Sequence, residues 1–166
     1  MPSRPPSRPL GLSWPQRLRA AGNAVNLSTA LGLGIAALGR ARLSRGERGL
    51  IYAEGFRVKL PAGAFTVGNV VVTHGRLDVL ESAHPGTLDH EDVHAWQYLV
   101  LAGLPFLPLY AAASGWSWLR TGDRASRNIF ERHAGLVSGG YRENPADWTG
   151  MRSIGTLLRR KHPDDS

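Results

Sequence analysis

The chain has 166 residues, 42% of them hydrophobic, which fits one domain with a modest core. It contains no cysteine. Disulfide frameworks and cysteine-ligated zinc or iron–sulfur sites are therefore excluded, and a metal would have to be held by His and carboxylate groups. The net charge of +7 comes mostly from arginines near the ends and at residues 40–48, with no aromatic nucleic-acid signature among them, so nucleic acid is not an expected partner.

The opening run "MPSRPPSRPLGLSWPQ" carries four prolines before Trp14 and no hydrophobic periodicity, which predicts a flexible basic arm over residues 1–20. Residues 23–39, "NAVNLSTALGLGIAALG", are apolar and Gly/Ala-rich between flanking arginines. A packed helix, a helix lying on a membrane and a signal-peptide core all fit that pattern, although Arg-Ala-Arg follows where a signal would place small residues. Next come two β-branched, aromatic segments, "GLIYAEGFRVKL" and "AFTVGNVVVTHG", joined at residues 61–63. They predict two strands in a hairpin-like unit.

From Thr87 the pattern becomes helical. A first helix is expected from Thr87 or Asp89 to about Ala102, ended by Gly103 and Pro105, and a second through "FLPLYAAASGWSWL". After a polar loop, Asn128 caps a third, "IFERHAGLVSGG", which Gly139 and Gly140 would terminate. Five of the thirteen acids, Asp78, Glu81, Asp89, Glu91 and Asp92, crowd into fifteen residues of this basic chain, around "LDHEDVHAWQYL".

That stretch places His90, Glu91 and His94 in the pattern H-E-x-x-H. On a helix, residues four apart stack on one face about 6 Å apart, so the two imidazoles can converge on one ion. Glu91 is rotated about 100° from His90, where it can reach a water on the ion without ligating it. A tetrahedral site needs a third protein ligand, and Glu131, His133, Glu143, His74 and His84 are available. Glu131 is the best placed of them, since Ile129, Phe130, Ala134 and Leu136 anchor its helix. His133 points about 200° away around that helix. Gln97, Asp89 and Asp92 are candidates to orient the outer nitrogens of the ligating rings. Two surface histidines on an exposed helix start would produce the same five-residue pattern by chance.

Together, "FTVGNVVVTHGRLDVL", "HEDVHAWQY", "GLPFLPLYAAASGWSWLRTGD" and "RNIFERHAGL" resemble an uncharacterised bacterial family of small H-E-x-x-H proteins. The likeness spans residues 26–142. Through it the chain looks like the gluzincin branch of zinc metallopeptidases, with two His on one helix and a Glu on the next. The resemblance implies Zn²⁺ held by His90, His94 and Glu131, with Glu91 as general base. It also implies an edge strand for the substrate backbone, and "GNVVVTH" fits that edge or, equally, a covered strand of the same sheet. An oxyanion-stabilising Tyr or His is expected too, with Tyr98, Tyr110, Tyr141 and His133 available.

The expectation is an α+β, zincin-like domain over residues 21–145: a small antiparallel sheet packed on a helical core, followed by a basic tail at 146–166. Its expected function is peptide hydrolysis, with a peptide or protein substrate. A catalytically inert, metal-stabilised binding module needs the same ligands, and differs in tolerating loss of Glu91. The location expected is cytoplasmic with peripheral membrane contact, because residues 99–119 carry no charge yet are interrupted by Gly103, Pro105 and Pro108.

Overall fold

A computed structural model describes residues 11–58 and 63–161. The first helix, α1, runs over Trp14–Val25, and α2 over Ser28–Leu38. The flexible arm expected to residue 20 is thus corrected from Trp14 onward, while residues 1–10 lie outside the described residues. Local chemistry explains the early start. Pro15 sits in the first turn, where it forfeits no helical hydrogen bond, and Gln16 Oε1 accepts a 3.0 Å hydrogen bond from the Ser13 N–H. Arg19 is wholly buried, paired with Asp92 and donating to the Arg48 carbonyl at 2.6 Å, which fastens α1 to the body. The apolar segment at 23–39 is not one helix. Leu27 adopts a left-handed φ of +66°, and the Asn26 side chain accepts hydrogen bonds from the Ser28 N–H and hydroxyl, so α1 and α2 meet at 72°.

Four strands follow, β1 (Arg42–Arg45), β2 (Ile51–Glu54), β3 (Ala64–Val67) and β4 (Val70–Thr73), in the order β1-β2-β4-β3. The sheet is mixed, not antiparallel as expected: β1/β2 and β3/β4 are antiparallel, but β2 and β4 run parallel, with Ile51 opposite Val70. The cause lies inside "AFTVGNVVVTHG", which contains its own turn at Gly68 and Asn69. The chain comes back from β2 along the outer edge as β3, reverses at that turn, and inserts β4 between the two. Gly68 has φ +62°, and a Cβ there would lie 2.4 Å from the Thr29 amide nitrogen, so this turn admits no side chain against α2. The hairpin is therefore β3–β4, and "GNVVVTH" supplies the covered strand while β3 forms the edge.

Val70 and Val72 pack with Ala36, Ala53 and Phe56 on the α2 side, whereas Val71 packs with Leu50, Leu77 and Ala95 on the other. A strand covered on both faces needs no polar alternation, which is why three valines run consecutively.

Helices α3 (Leu77–Ala83) and α4 (Thr87–Val100) come next, followed by α5 (Phe106–Thr121), α6 (Ile129–Ala134) and α7 (Thr149–Lys161). The polypeptide is thus α+β. Residues 99–119 are divided between α4, a turn and α5. No single helix among the described residues is long and apolar enough to cross a membrane, although the bent α1–α2 pair meets the length and composition together. Within the basic tail expected at 146–166, residues 149–161 form a helix against α5. The Arg120 guanidinium lies 4.3 Å from the centre of the Trp148 ring, and Trp148 meets Trp116 edge-on at 5.9 Å. Helix α4 lies between β3, α1 and α6, and carries His90, Glu91 and His94 into the centre of the fold.

Candidate metal centre

Helix α4 begins at Thr87, the earlier of the two expected starts, with Gly86 at its N-cap position. The Glu81 carboxylate of α3 caps it, accepting from the Gly86 and Leu88 N–H groups at 2.8 Å each. An acidic group at a helix N-terminus satisfies donors the helix cannot satisfy itself. Helix α6 is fixed by Asn128, whose Oδ1 accepts from the Phe130 N–H at 2.9 Å while its Nδ2 donates to Ser114 on α5 at 3.0 Å. The helix ends at Ala134, earlier than Gly139, because Gly135 leaves helical geometry with φ +95°. Together α4 and α6 bring His90, His94 and Glu131 to one point, all three buried.

The hydrogen bonds settle which atoms face that point. The Gly135 carbonyl accepts from His90 Nδ1 at 3.0 Å. Gln97 Nε2 donates to the Phe130 carbonyl at 3.0 Å, which leaves Gln97 Oε1 to accept from His94 Nδ1 at 2.8 Å. With both Nδ1 atoms donating, both Nε2 atoms present lone pairs, and these face each other across 3.0 Å. Glu131 Oε2 lies 3.2 Å from His90 Nε2 and 3.6 Å from His94 Nε2. It is buried with no hydrogen-bond partner among protein atoms that bear hydrogen. Three converging lone pairs are relieved by a cation between them, a metal ion or a proton on one of the imidazoles.

Ligands to a tetrahedral divalent ion, about 2.1 Å from it, stand about 3.4 Å apart, which the three separations bracket. Electrostatics agree. Burial opposes charge on His94, yet Glu131 and Glu91 hold its imidazole above the usual value. Burial likewise works against the Glu131 charge, but His90, His94 and the Tyr110 hydroxyl hold its carboxyl below the usual range. The buried carboxylates thus draw positive charge to this spot, and the His-His-Glu group can hold a metal ion.

Glu91 is buried beside this group without joining it. Its Oε2 accepts from Thr66 Oγ1 of β3 at 2.6 Å, and burial pushes its carboxyl up, against the lowering effects of His94 and Thr66. A cavity of about 330 Å³ opens over the cluster, lined by Glu91 and Tyr141 and, on its apolar side, by Ile35, Phe65, Val67 and Leu107.

Other candidates fall elsewhere. Asp89 is exposed and pairs with Arg48 at 2.6 Å, facing away from the cluster, because one step along α4 from His90 points it outward. Asp92 serves Arg19. Glu143 pairs with Arg132 at 2.8 Å on the surface, His74 Nδ1 meets the Phe56 carbonyl at 2.9 Å, and His84 is exposed. His133 is exposed, with Nδ1 3.2 Å from Gln97 Nε2. Tyr141 meets the His90 ring at 6.1 Å between centroids. Tyr110 donates to Glu131 Oε1, so it orients a candidate ligand.

Sequence reading did not find Thr66, the Gly135 carbonyl or Gly139. A Cβ at Gly139 would lie 2.8 Å from His90 Nε2, so a bare backbone passes directly over the ring. The only signal for it was a glycine pair that reads equally well as a helix stop. Comparison with protein-family models, curated proteins and solved structures finds no match, and the geometry alone carries the functional reading.

Proposed function

We propose that the chain is a zinc-dependent metallopeptidase of gluzincin type, with zinc held by His90, His94 and Glu131. One observation carries this reading: three candidate ligands face a cavity in which a further buried carboxylate, Glu91, lies close by without completing the set. Structural zinc sites close with four protein ligands, whereas catalytic ones keep a position open. Two imidazoles and a carboxylate, without any thiolate, are a donor set that zinc accepts and one found at peptidase centres.

Bound zinc would supply a Lewis acid and acidify a water at neutral pH. The chain's own groups supply the proton transfers. Thr66 occupies Glu91 Oε2, which leaves Oε1 for a water in the cavity. Glu91 accepts that water's proton as the new C–O bond forms and returns it to the departing amine as the C–N bond breaks. Burial raises the Glu91 carboxyl above the ordinary carboxylate value, the direction that suits a group that must both take and give a proton.

Tyr141 is the candidate to donate to the developing oxyanion. It lines the cavity, and burial together with Glu131 and Glu91 pushes its hydroxyl up, so it stays protonated. The alternatives are engaged: Tyr110 holds Glu131, and Tyr98 is packed against Phe106 and Val67. The outer edge of β3 offers backbone groups to an extended peptide, and the apolar wall suits an apolar side chain beside the cleaved bond.

The reading is tested by metal analysis of the purified chain together with cleavage of a mixed peptide library. About one zinc per chain and chelator-sensitive cleavage are expected. Stoichiometric zinc without cleavage would assign the site to holding α4 and α6 together.

A further inference from the structure

We infer that the end of the molecule formed by the α1–α2 and α4–α5 turns docks on a lipid bilayer as a shallow wedge. The two turns form one surface. Asn23 Nδ2 donates to the Ala95 carbonyl at 2.8 Å, and Asn26 Nδ2 to the Tyr98 carbonyl at 3.4 Å. A Cβ at Gly103 would lie 2.5 Å from Asn26 Cγ, so the turns are in direct contact. Around them Val25, Leu27 and Val100 are 82%, 60% and 77% exposed, with Leu31, Leu104 and Leu107 exposed beside them.

The chemistry of this surface selects lipid over protein. Residues 20–39 and 95–119 contain no Asp, Glu, Lys, Arg or His, in a chain holding 20 Lys and Arg and 13 Asp and Glu. Every exposed residue in both stretches is Gly, Ala, Val, Leu, Pro or Trp. Protein interfaces surround an apolar centre with a polar rim and place about one hydrogen bond in each 100–200 Å². This surface has almost no side chain with which to make one. A bilayer's hydrocarbon asks for none.

Positive charge lies at a suitable height. Arg17 is eight residues before Val25, about 12 Å back along α1, and Arg40 stands just beyond the far end of α2. A wedge immersed by the 5–10 Å typical of interfacial elements leaves a guanidinium about 12 Å behind its tip, that of Arg17, among anionic headgroups. Leu107 belongs both to this surface and to the wall of the metal cavity, so docking sets the cavity mouth at the membrane interface. Docking needs no metal, and its failure is read separately from that of the peptidase assignment.

The test is sedimentation of the full chain with phosphatidylcholine vesicles, with and without phosphatidylglycerol. Wild type is expected to bind both and to bind the anionic vesicles several-fold more tightly. Leu27→Asp with Leu104→Asp is expected to weaken binding at least about tenfold at an unchanged melting temperature, since Asp tolerates the left-handed backbone at 27. Val79→Asp, on α3, should leave binding unaltered. Absence of binding to either vesicle, or undiminished binding by the double variant, would overturn the inference. A dimer in vesicle-free solution that the double variant abolishes, without vesicle binding by wild type, would overturn it too and assign the surface to a second copy of the chain.

Discussion

Thr66 on the edge strand donates a 2.6 Å hydrogen bond to Glu91 on the helix that presents His90 and His94. The bond joins the strand that would hold a peptide backbone to the carboxylate that would take the proton. Thr66→Val keeps the shape and removes the donor. Cleavage is expected to fall about tenfold, as suits one lost buried hydrogen bond, with zinc content unchanged. Steady-state kinetics alongside metal analysis checks it, and a fall in kcat with KM unmoved is the expected split.

Tyr110 should act through Glu131. Tyr110→Phe retains the ring packed against Phe106 and Phe130 but releases Glu131 Oε1. Loss of such an outer partner typically weakens metal affinity about 10- to 100-fold. Competition with a chromophoric chelator measures this, and unaltered affinity would remove Tyr110 from the site.

Gly139→Ala is predicted to push into His90, because the new methyl has no room beside Cε1 and Nε2. Metal affinity should drop while the circular dichroism spectrum stays the same. Gly34→Ala, where a Cβ meets nothing within 4 Å, is the matched control.

Removing Asp92 would strand Arg19, whose side chain is completely buried. Asp92→Ala is expected to cost about 3–5 kcal/mol, the range for an uncompensated buried charge. Urea denaturation of the metal-free chain reads it directly.

Asp123 gives a pH signature. Partial burial disfavours its charge, but the Ser126 N–H and hydroxyl and the Ala125 N–H hold its carboxyl below the usual value. A depressed folded-state pKa contributes stability above the unfolded value of about 3.9, and that contribution is lost as pH falls through the folded one. Asp123→Ala should therefore melt lower than wild type at pH 7, with the gap closing below about pH 4. Melting curves in chelator, which removes the ligands' own metal linkage, check this.

The helical half of the site was legible because its signals are local. Four-residue spacing puts His90 and His94 on one face, and Asn128 announces the start of α6 three residues before Glu131. Thr66 was not legible, since it reaches Glu91 only through the pairing of β3 beside β4, and no spacing in the chain encodes that. The same turn at Gly68 and Asn69 explains the error in the sheet: taken as part of one strand, it hides the parallel pairing of β2 with β4. Asp89 shows the opposite hazard. Its acidity next to His90 suggests a partner for the outer nitrogen of a ligating ring, but helix geometry turns it toward Arg48.

In the proposed mechanism Glu91 performs chemistry at a metal held by other residues. Glu91→Gln preserves size and helix placement and removes the ability to accept a proton at neutral pH. Zinc content and peptide cleavage are measured side by side for wild type and Glu91→Gln. About one zinc per chain is expected in both, with cleavage by the variant down about 100-fold or more. Equal cleavage by the two proteins, or zinc lost along with Glu91, would contradict that mechanism.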